Sequence, residues 1–188
     1  MFPLRTARLD DIPELQRLIE TSVRTLSRSV YTPAQTEAAL RHVFGVDTQL
    51  VADLTYYVLE GDSGLVAAGG WSARQTMYGG DQAKTGVDGV VDPATAPARI
   101  RAFFVHPDFT RRGFARRLFA ECETAARARG FRAFELVATL PGEPLYRALG
   151  FHVVEPVSVP LPGDLSLPCL RMHRSIDPDA HPLVHGSR

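Results

Sequence analysis

Apolar and polar residues repeat along the chain with two periods, and the switches between them predict an ordered series of strands and helices. A period near two marks strands, and a period near 3.6 marks helices. The predicted strands cover residues 3–9, 55–60, 65–74, 99–105, 131–139, 151–161 and 167–176. The predicted helices cover residues 10–27, 32–44, 113–129 and 141–150.

Local signals support the predicted helix ends. Asp10 or Asp11 can cap the first helix, and Thr32 is placed to cap the second with a proline directly after it. Gly130 follows the third helix and Gly150 the fourth, where glycine commonly ends a helix. The apolar face of the third helix contains Phe114, Leu118, Cys122, Ala125 and Ala126.

The order of the elements predicts an α/β fold with a mixed sheet. The 188 residues suit one domain with a substantial core, which we place at residues 1–174, followed by a flexible tail at 175–188. Residues 74–98 are rich in Gly, Pro, Asp and Thr without a sustained period, so we predict a long loop there. Long loops in compact domains are often functional or mobile.

The distribution of charge argues against nucleic acid as a partner and is compatible with a small polyanion. The formal net charge is zero, so the chain has no overall basic surface for nucleic acid. Residues 99–132 nevertheless contain nine arginines against three acidic residues. This excess suits a small polyanion, or is simply a solvated helix face, and the general preference of this chain for arginine over lysine weakens the significance of each one.

The remaining composition is that of an ordinary globular protein. Cys122 and Cys169 are expected to be small buried hydrophobes, and the six histidines have no spacing typical of a metal site. No apolar run approaches the length that spans a bilayer, and the N-terminal residues lack the layout of a secretory signal. We therefore expect a cytoplasmic protein without a membrane partner or a metal.

The segment FFVHPDFTRRGFARRLF, residues 103–119, joins a strand to a helix through a turn that contains Gly113. The N-terminus of a helix has free N–H groups and a partial positive charge, so it can bind phosphate oxygens. Gly113 and the small Ala115 would leave room for a pyrophosphate against the backbone. The alternative is that Gly113 only permits the turn.

The same segment lacks the Walker and the dinucleotide-binding glycine patterns. It resembles the acetyl-CoA motif of the GNAT superfamily of N-acetyltransferases, in which an apolar-Val-x-Pro step leads into [Q/R]-x-x-G-x-[G/A]. Thr110 departs from this motif, because it stands where the family has Gln or Arg. PLYRALGF, residues 144–151, is similar to a second signature of the family, and the order of elements from about residue 3 to 174 also fits.

This resemblance implies a GNAT fold, with a twisted, mostly antiparallel sheet of about seven strands, about four flanking helices, and a splay between strands 4 and 5. It implies acetyl-CoA as co-substrate and a primary amine of a small molecule or peptide as acceptor. The residues implied to bind acetyl-CoA lie at the end of strand 4 and around the turn: Phe104, Val105, Arg111, Arg112, Gly113, Phe114, Ala115 and Arg116.

By the same resemblance, Tyr146 lies near the sulfur and protonates the departing thiolate. Phenols titrate near 10 and thiols near 8.5, so a tyrosine stays protonated at neutral pH and can donate. The alternative for Tyr146 is an amphipathic core residue. No general base is evident, because strand 4 carries Arg99 and Arg101, which cannot accept a proton at usable pH. Either a chain of water molecules relays the proton or a residue elsewhere accepts it. Glu60 and Glu135 are weak candidates, better explained as a solvated strand face, and His106 is better explained as a surface residue.

Four residues are candidate acceptor contacts: Tyr31, Trp71, Arg99 and Arg101. The two arginines share one face of their strand and either bind an acceptor carboxylate or phosphate or form structural ion pairs. Tyr31, Trp71 and also Tyr78 lie in regions that line the acceptor side in the family, although core packing explains each equally well. A homodimer is possible.

Two further functions stay open. The missing base and Thr110 are also compatible with a CoA-binding module that senses or regulates without catalysis. A plain interaction protein without a nucleotide site is the third hypothesis.

Overall fold

The computed structural model describes residues 1–86 and 88–176. Its centre is one seven-stranded sheet with the order β1-β2-β3-β4-β5-β7-β6. The strands are β1 Leu4–Thr6, β2 Tyr56–Gly61, β3 Gly64–Ser72, β4 Ala98–Val105, β5 Ala133–Thr139, β6 His152–Leu161 and β7 Leu165–Ser175. The helices are α1 Ile12–Leu26, α2 Pro33–His42, α3 Thr48–Ala52, α4 Phe114–Ala128 and α5 Glu143–Ala148.

This architecture confirms the predicted fold class. All neighbouring strands pair antiparallel except β4 and β5, which are parallel. The short helix α3 is the one α-helix among the described residues that the sequence did not predict, and its N-terminus is capped by the side chain of Asp47. A helix of one and a half turns shows too few apolar repeats to be recognised from their spacing.

The local signals at helix ends mostly act as expected. Thr32 accepts a hydrogen bond from the amide of Gln35 at the start of α2, and Gly130 has a φ of +86° just after α4. Asp11 is the exception, because it precedes α1 without capping it. Its carboxylate instead accepts hydrogen bonds from the side chain of Arg5 and the amide of Arg8.

β4 and β5 pair at only two positions before they separate. Ala98 is opposite Phe134 and Arg99 is opposite Glu135, and no later residues pair. β4 is also irregular on its other side, where Ala102 has a φ of +54° and the register with β3 shifts between Ala68 and Gly70. This bulge bends β4 and widens the gap toward its C-terminal end.

The sheet buries apolar residues on both faces. One core lies beneath α4 and contains Trp71, Leu118, Phe134 and Met172. A second lies beneath α1 and contains residues such as Leu15 and Ile19. Burial of these side chains is the main force that holds the helices to the sheet.

The predicted loop and tail fall partly outside the described residues. Residues 74–98 contain a short 3₁₀ helix at Asp81–Ala83 and an isolated bridge between Arg74 and Val90, while residue 87 is not described. Of the predicted tail, Ser175 ends β7 and Ile176 is buried, and 177–188 lie outside the described residues. No helix in the described ranges has the length and apolar character to cross a membrane.

The packing of α4 on the sheet gives the first prediction. Leu118 is fully buried, so Leu118→Ala should lower the free energy of unfolding by about 2–5 kcal/mol in urea denaturation. Leu9→Ala is the matched control, because Leu9 is 65% exposed and its loss should change stability by less than about 0.5 kcal/mol. Equal effects of the two changes would contradict the proposed role of the α4 core.

Candidate functional site

One pocket follows the gap between β4 and β5 and has a volume of about 820 Å³. Its first end, the amide end, is formed by residues 109–116 and by the segment 139–148. Its second end, the apolar end, is formed by Val23, Leu26, Val43, Phe44, Met77 and Phe104. The two ends meet along residues 102–105 of β4.

The amide end is built on the turn that the sequence analysis singled out. Gly113 occupies the N-cap position of α4 with a φ of +80°, and no side chain caps this helix. The first amides of a helix have no partner within it, so the N–H groups of Phe114, Ala115 and Arg116 are available to a ligand. The left-handed residue followed by helical ones makes a concave run of N–H groups that suits an anion.

Gly113 is favoured by the backbone conformation rather than by packing. A Cβ atom at this position would meet nothing within 4 Å, so the protein itself leaves the space beside the turn open. Arg111, two residues earlier, also adopts a positive φ of 60°, which is uncommon for a residue with a side chain. Such a conformation often occurs at functional sites.

Positive charge surrounds the same turn. Arg111, Arg112 and Arg116 are exposed around it, and Arg111 and Arg116 line the pocket. The guanidinium of Arg112 lies over the ring of Phe109 at 5.0 Å from its centroid. These side chains add long-range attraction for an anion to the local effect of the amides.

Val105 presents a backbone N–H to the gap. The amide of His106 donates to the carbonyl of Val66 at 2.8 Å. His106 and Val66 are therefore a hydrogen-bonded pair of the antiparallel ladder between β4 and β3. Hydrogen bonding alternates along an antiparallel ladder, so the N–H of Val105 points away from β3 and toward β5. β5 has already separated from β4 at this level, and the N–H therefore faces the pocket.

Tyr146 reaches the pocket from α5. Its ring packs edge-on against Phe103 and Phe151, with centroids 6.4 and 5.8 Å away. Burial raises the pKa of its phenol well above the ordinary value, so the hydroxyl stays protonated at neutral pH. No hydroxyl partner is found for Tyr146 among the residues that the structure describes, which leaves this donor free for a ligand.

Arg101 is held in a buried ionic cluster. Its guanidinium lies 2.8 Å from a carboxylate oxygen of Asp47 and also donates to the carbonyls of Thr76 and Gly79. Asp47 further pairs with Lys84. Asp47 and Arg101 are almost fully buried, so the cluster ties β4 to the segments that line the apolar end. Of the two roles that the sequence allowed for Arg101, the structure shows a structural ion pair.

Arg99 also forms an ion pair, at the point where β4 and β5 separate. Its guanidinium lies 2.6 Å from Glu135, the residue opposite it in the ladder, and Arg171 binds the other oxygen of that carboxylate. Arg99 is not among the pocket-lining residues. The observed contact of Arg99 is therefore the ion pair, and its contact with an acceptor stays a prediction.

Of the three aromatic residues considered as acceptor contacts, two lie in the core and one lines the pocket. Trp71 is fully buried and packs against Phe131, while Tyr31 bonds the carbonyl of Pro168 and the amide of Leu140 through its hydroxyl. Neither lines the pocket, and the observed contacts of both are those of core packing. Their contact with an acceptor stays a prediction. Tyr78 does line the pocket.

The candidate bases lie outside the pocket. Glu60 pairs with Arg5, Glu135 is held by Arg99 and Arg171, and the ring of His106 accepts a hydrogen bond from the amide of Asp108. Within the described ranges, none of the pocket-lining residues is Asp, Glu or His. Nor do these ranges hold a cluster of His, Cys, Asp and Glu that fits a metal ion.

Several residues in and around the pocket could not be predicted from the sequence. Asp47, Phe44 and Lys84 lie in irregular segments, and their contacts are with residues far away in the chain. Ala102 is part of a regular-looking apolar strand, and nothing in its identity indicates a left-handed conformation. Gly45, Gly79 and Gly80 are local signals of a close approach, because a Cβ atom at each would meet a neighbouring atom at 2.5–2.7 Å. Gly79 and Gly80 lie within the loop predicted at residues 74–98.

Comparison with known proteins gives a family match. The family model for the Acetyltransferase (GNAT) domain matches residues 52–153, which include the gap, the turn and Tyr146. No curated protein matches the chain in sequence.

Solved structures share the fold at low sequence identity. A GCN5-related N-acetyltransferase from Rhodopseudomonas palustris has a TM-score of 0.68 and 17% identity, over 93% of this chain and 96% of its own. The PaiA N-acetyltransferase from Thermoplasma acidophilum, in complex with coenzyme A, has a TM-score of 0.63 and 13% identity, over 93% and 99%. YncA from Salmonella typhimurium, with its cofactor acetyl-CoA, has a TM-score of 0.62 and 15% identity, over 98% and 99%.

The ionic cluster at the apolar end gives the second prediction. Asp47→Asn and Arg101→Met should each lower the free energy of unfolding by roughly 3–5 kcal/mol, because each leaves a buried charge without its main partner. The double variant should lose less than the sum of the two, by roughly 1–3 kcal/mol. Urea denaturation measures all three.

Glu37→Gln is the control for this cycle. Glu37 and Arg24 are 43% and 46% exposed, so breaking their pair should cost less than about 1 kcal/mol. If the double variant loses as much free energy of unfolding as the sum of the two single variants, the interaction between Asp47 and Arg101 does not stabilise the fold.

Proposed function

Because the chain belongs to the GNAT acetyltransferase family, we propose that it is an enzyme that transfers an acetyl group from acetyl-CoA to a primary amine of a small molecule or peptide. The observation that carries the proposal is a single pocket that joins the α4 N-terminus, the N–H of Val105 and the hydroxyl of Tyr146. Acetyl-CoA supplies an acetyl group activated as a thioester.

The proposed binding of the diphosphate uses the amide end. The backbone N–H groups of residues 111–116 hold its oxygens, and the side chains of Arg111, Arg112 and Arg116 add charge. The support is the open space at Gly113 and the uncapped start of α4. Phe104 and Val105 then contact the pantetheine arm in the gap between β4 and β5.

The proposed chemistry uses two donors. The N–H of Val105 polarises the thioester carbonyl, because it is already oriented toward the gap and needs no rearrangement when negative charge develops on the carbonyl oxygen. The hydroxyl of Tyr146 donates its proton to the sulfur as the C–S bond breaks, and the new C–N bond forms to the acceptor nitrogen. The nitrogen loses its proton to solvent, and solvent returns one to Tyr146.

One observation favours a second candidate function, a CoA-binding module that regulates without catalysis. The pocket-lining residues in the described ranges include no Asp, Glu or His that would accept a proton from the amine. Release of free CoA thiol in the presence of an amine panel distinguishes the two. Thiol release that depends on both the amine and the protein supports the enzyme, and binding of CoA without release supports the module.

The binding of the diphosphate gives the third prediction. Gly113→Ala places a Cβ atom in the open space beside the turn, so we expect the dissociation constant for acetyl-CoA to rise about tenfold or more in isothermal titration calorimetry.

The matched control for this change is Gly163→Ala in the hairpin between β6 and β7. Gly163 has a similar φ of +73° and also has open space around it. Both variants should therefore lose a similar stability of about 1 kcal/mol from the strained backbone, and only Gly113→Ala should lose affinity. Unchanged affinity in Gly113→Ala would contradict diphosphate binding at the turn.

The donor role of Tyr146 gives the fourth prediction. Tyr146→Phe keeps the ring contacts with Phe103 and Phe151 but removes the proton donor, so kcat should fall about 10²-fold. The dissociation constant for acetyl-CoA should change by less than about twofold, since the ring still fills the same space. Steady-state thiol release and calorimetry measure the two quantities.

Tyr57→Phe is the control for loss of a buried hydroxyl. Tyr57 lies on β2 in the core and does not line the pocket. The kcat of the Tyr57→Phe variant should therefore stay near that of the wild type. If Tyr146→Phe turns over as fast as Tyr57→Phe, Tyr146 has no part in the chemistry.

A further inference from the structure

The apolar end of the pocket has a composition that selects among amines. Its described side chains are mostly aliphatic or aromatic: Val23, Leu26, Val43, Phe44, Met77 and Phe104. Phe44 and Phe104 pack edge to face with centroids 6.2 Å apart and form a rigid aromatic corner. A surface of this kind gains free energy by burying an apolar group.

The nearest charges at this end are already compensated. Arg101 lines the pocket, but its charge is paired with Asp47, which is 1% exposed and also pairs with Lys84. Asp81, next to the pocket-lining Gly80, accepts from the amide of Thr48 and lies 3.9 Å from Lys84. Asp47 is therefore occupied by groups of the protein, and Asp81, whose side chain is 45% exposed, is not among the pocket-lining residues. Neither carboxylate offers a substrate ammonium a partner inside the pocket.

An ammonium group in such surroundings is unfavourable. Burial among apolar groups disfavours the charged form and lowers the pKa of an amine. For the reacting nitrogen this is useful, because only the neutral amine has a lone pair for attack on the carbonyl. Burial of a second ammonium on the same acceptor only makes the free energy of binding less favourable.

We propose that the acceptor is a primary amine carried by an apolar group, and that the apolar end of the pocket discriminates against acceptors with a second ammonium. This inference rests on the proposed acetyl transfer. The apolar group packs on the Phe44–Phe104 corner, and the amine then points along β4 toward Val105, where the two ends of the pocket meet.

Two amines that differ by one charge test the inference. Hexylamine and 1,6-diaminohexane have the same chain length, and only the diamine carries a second ammonium. We expect kcat/KM for hexylamine to exceed that for the diamine about tenfold or more in a thiol-release assay. A diamine that is used equally well or better would overturn the proposal.

A variant pair tests whether the apolar end causes the preference. Leu26 lines the pocket and is 39% exposed at the end of α1, so it tolerates a polar side chain. Leu26→Glu places a carboxylate near the second ammonium and should reduce the preference about threefold or more. Leu26→Gln adds polarity without charge and should leave the ratio close to that of the wild type. Equal ratios in the two variants would overturn the proposal.

Calorimetry with the same two amines, in the presence of CoA, separates this inference from the proposed function. Selective binding of hexylamine without thiol release would support the preference and contradict the acetyl transfer. Thiol release with a preference for the diamine would support the transfer and overturn the preference. Absence of binding by either amine would overturn the preference as well.

Discussion

The separation of β4 from β5 is the constraint on which the rest of the structure depends. Two parallel strands pair for only two residues and then diverge, so beyond Arg99 the backbone groups of β4 that point away from β3 face a gap instead of β5. Unpaired backbone groups in a sheet centre are costly unless another partner satisfies them. The ion pair between Arg99 and Glu135 stabilises the last paired position, and the bulge at Ala102 turns the following residues outward.

The functional groups of the pocket follow from this arrangement. The open gap exposes the N–H of Val105, admits the ring of Tyr146 from α5, and leads to the turn at Gly113. Each group is fixed by ordinary packing: α4 by its buried face, Tyr146 by Phe103 and Phe151. Preorganised donors of this kind need no rearrangement when charge develops, which is the condition for efficient electrostatic stabilisation. The same fold therefore supplies both the stability and the donors.

Local patterns in the sequence singled out residues that line the amide end of the pocket, whereas most residues of the apolar end have no such local signal. Gly113 and Tyr146 belong to short motifs whose conformation depends on neighbours in the chain, and both line one pocket, while the apolar face of α4 packs into the core. The partners of Arg99 and Arg101 lie 36 and 54 residues away, so charge patterns alone left their role open. Tyr31 and Trp71 have amphipathic side chains that suit a pocket or a core equally, and only tertiary packing decided for the core.

A crystal structure of the protein with acetyl-CoA tests the central proposal most directly. We expect the diphosphate oxygens within hydrogen-bond distance of the backbone nitrogens of residues 111–116, with the pantetheine arm between β4 and β5 and its sulfur near the hydroxyl of Tyr146. Acetyl-CoA bound with its diphosphate away from the turn, or with the gap between the two strands empty, would contradict the proposed function.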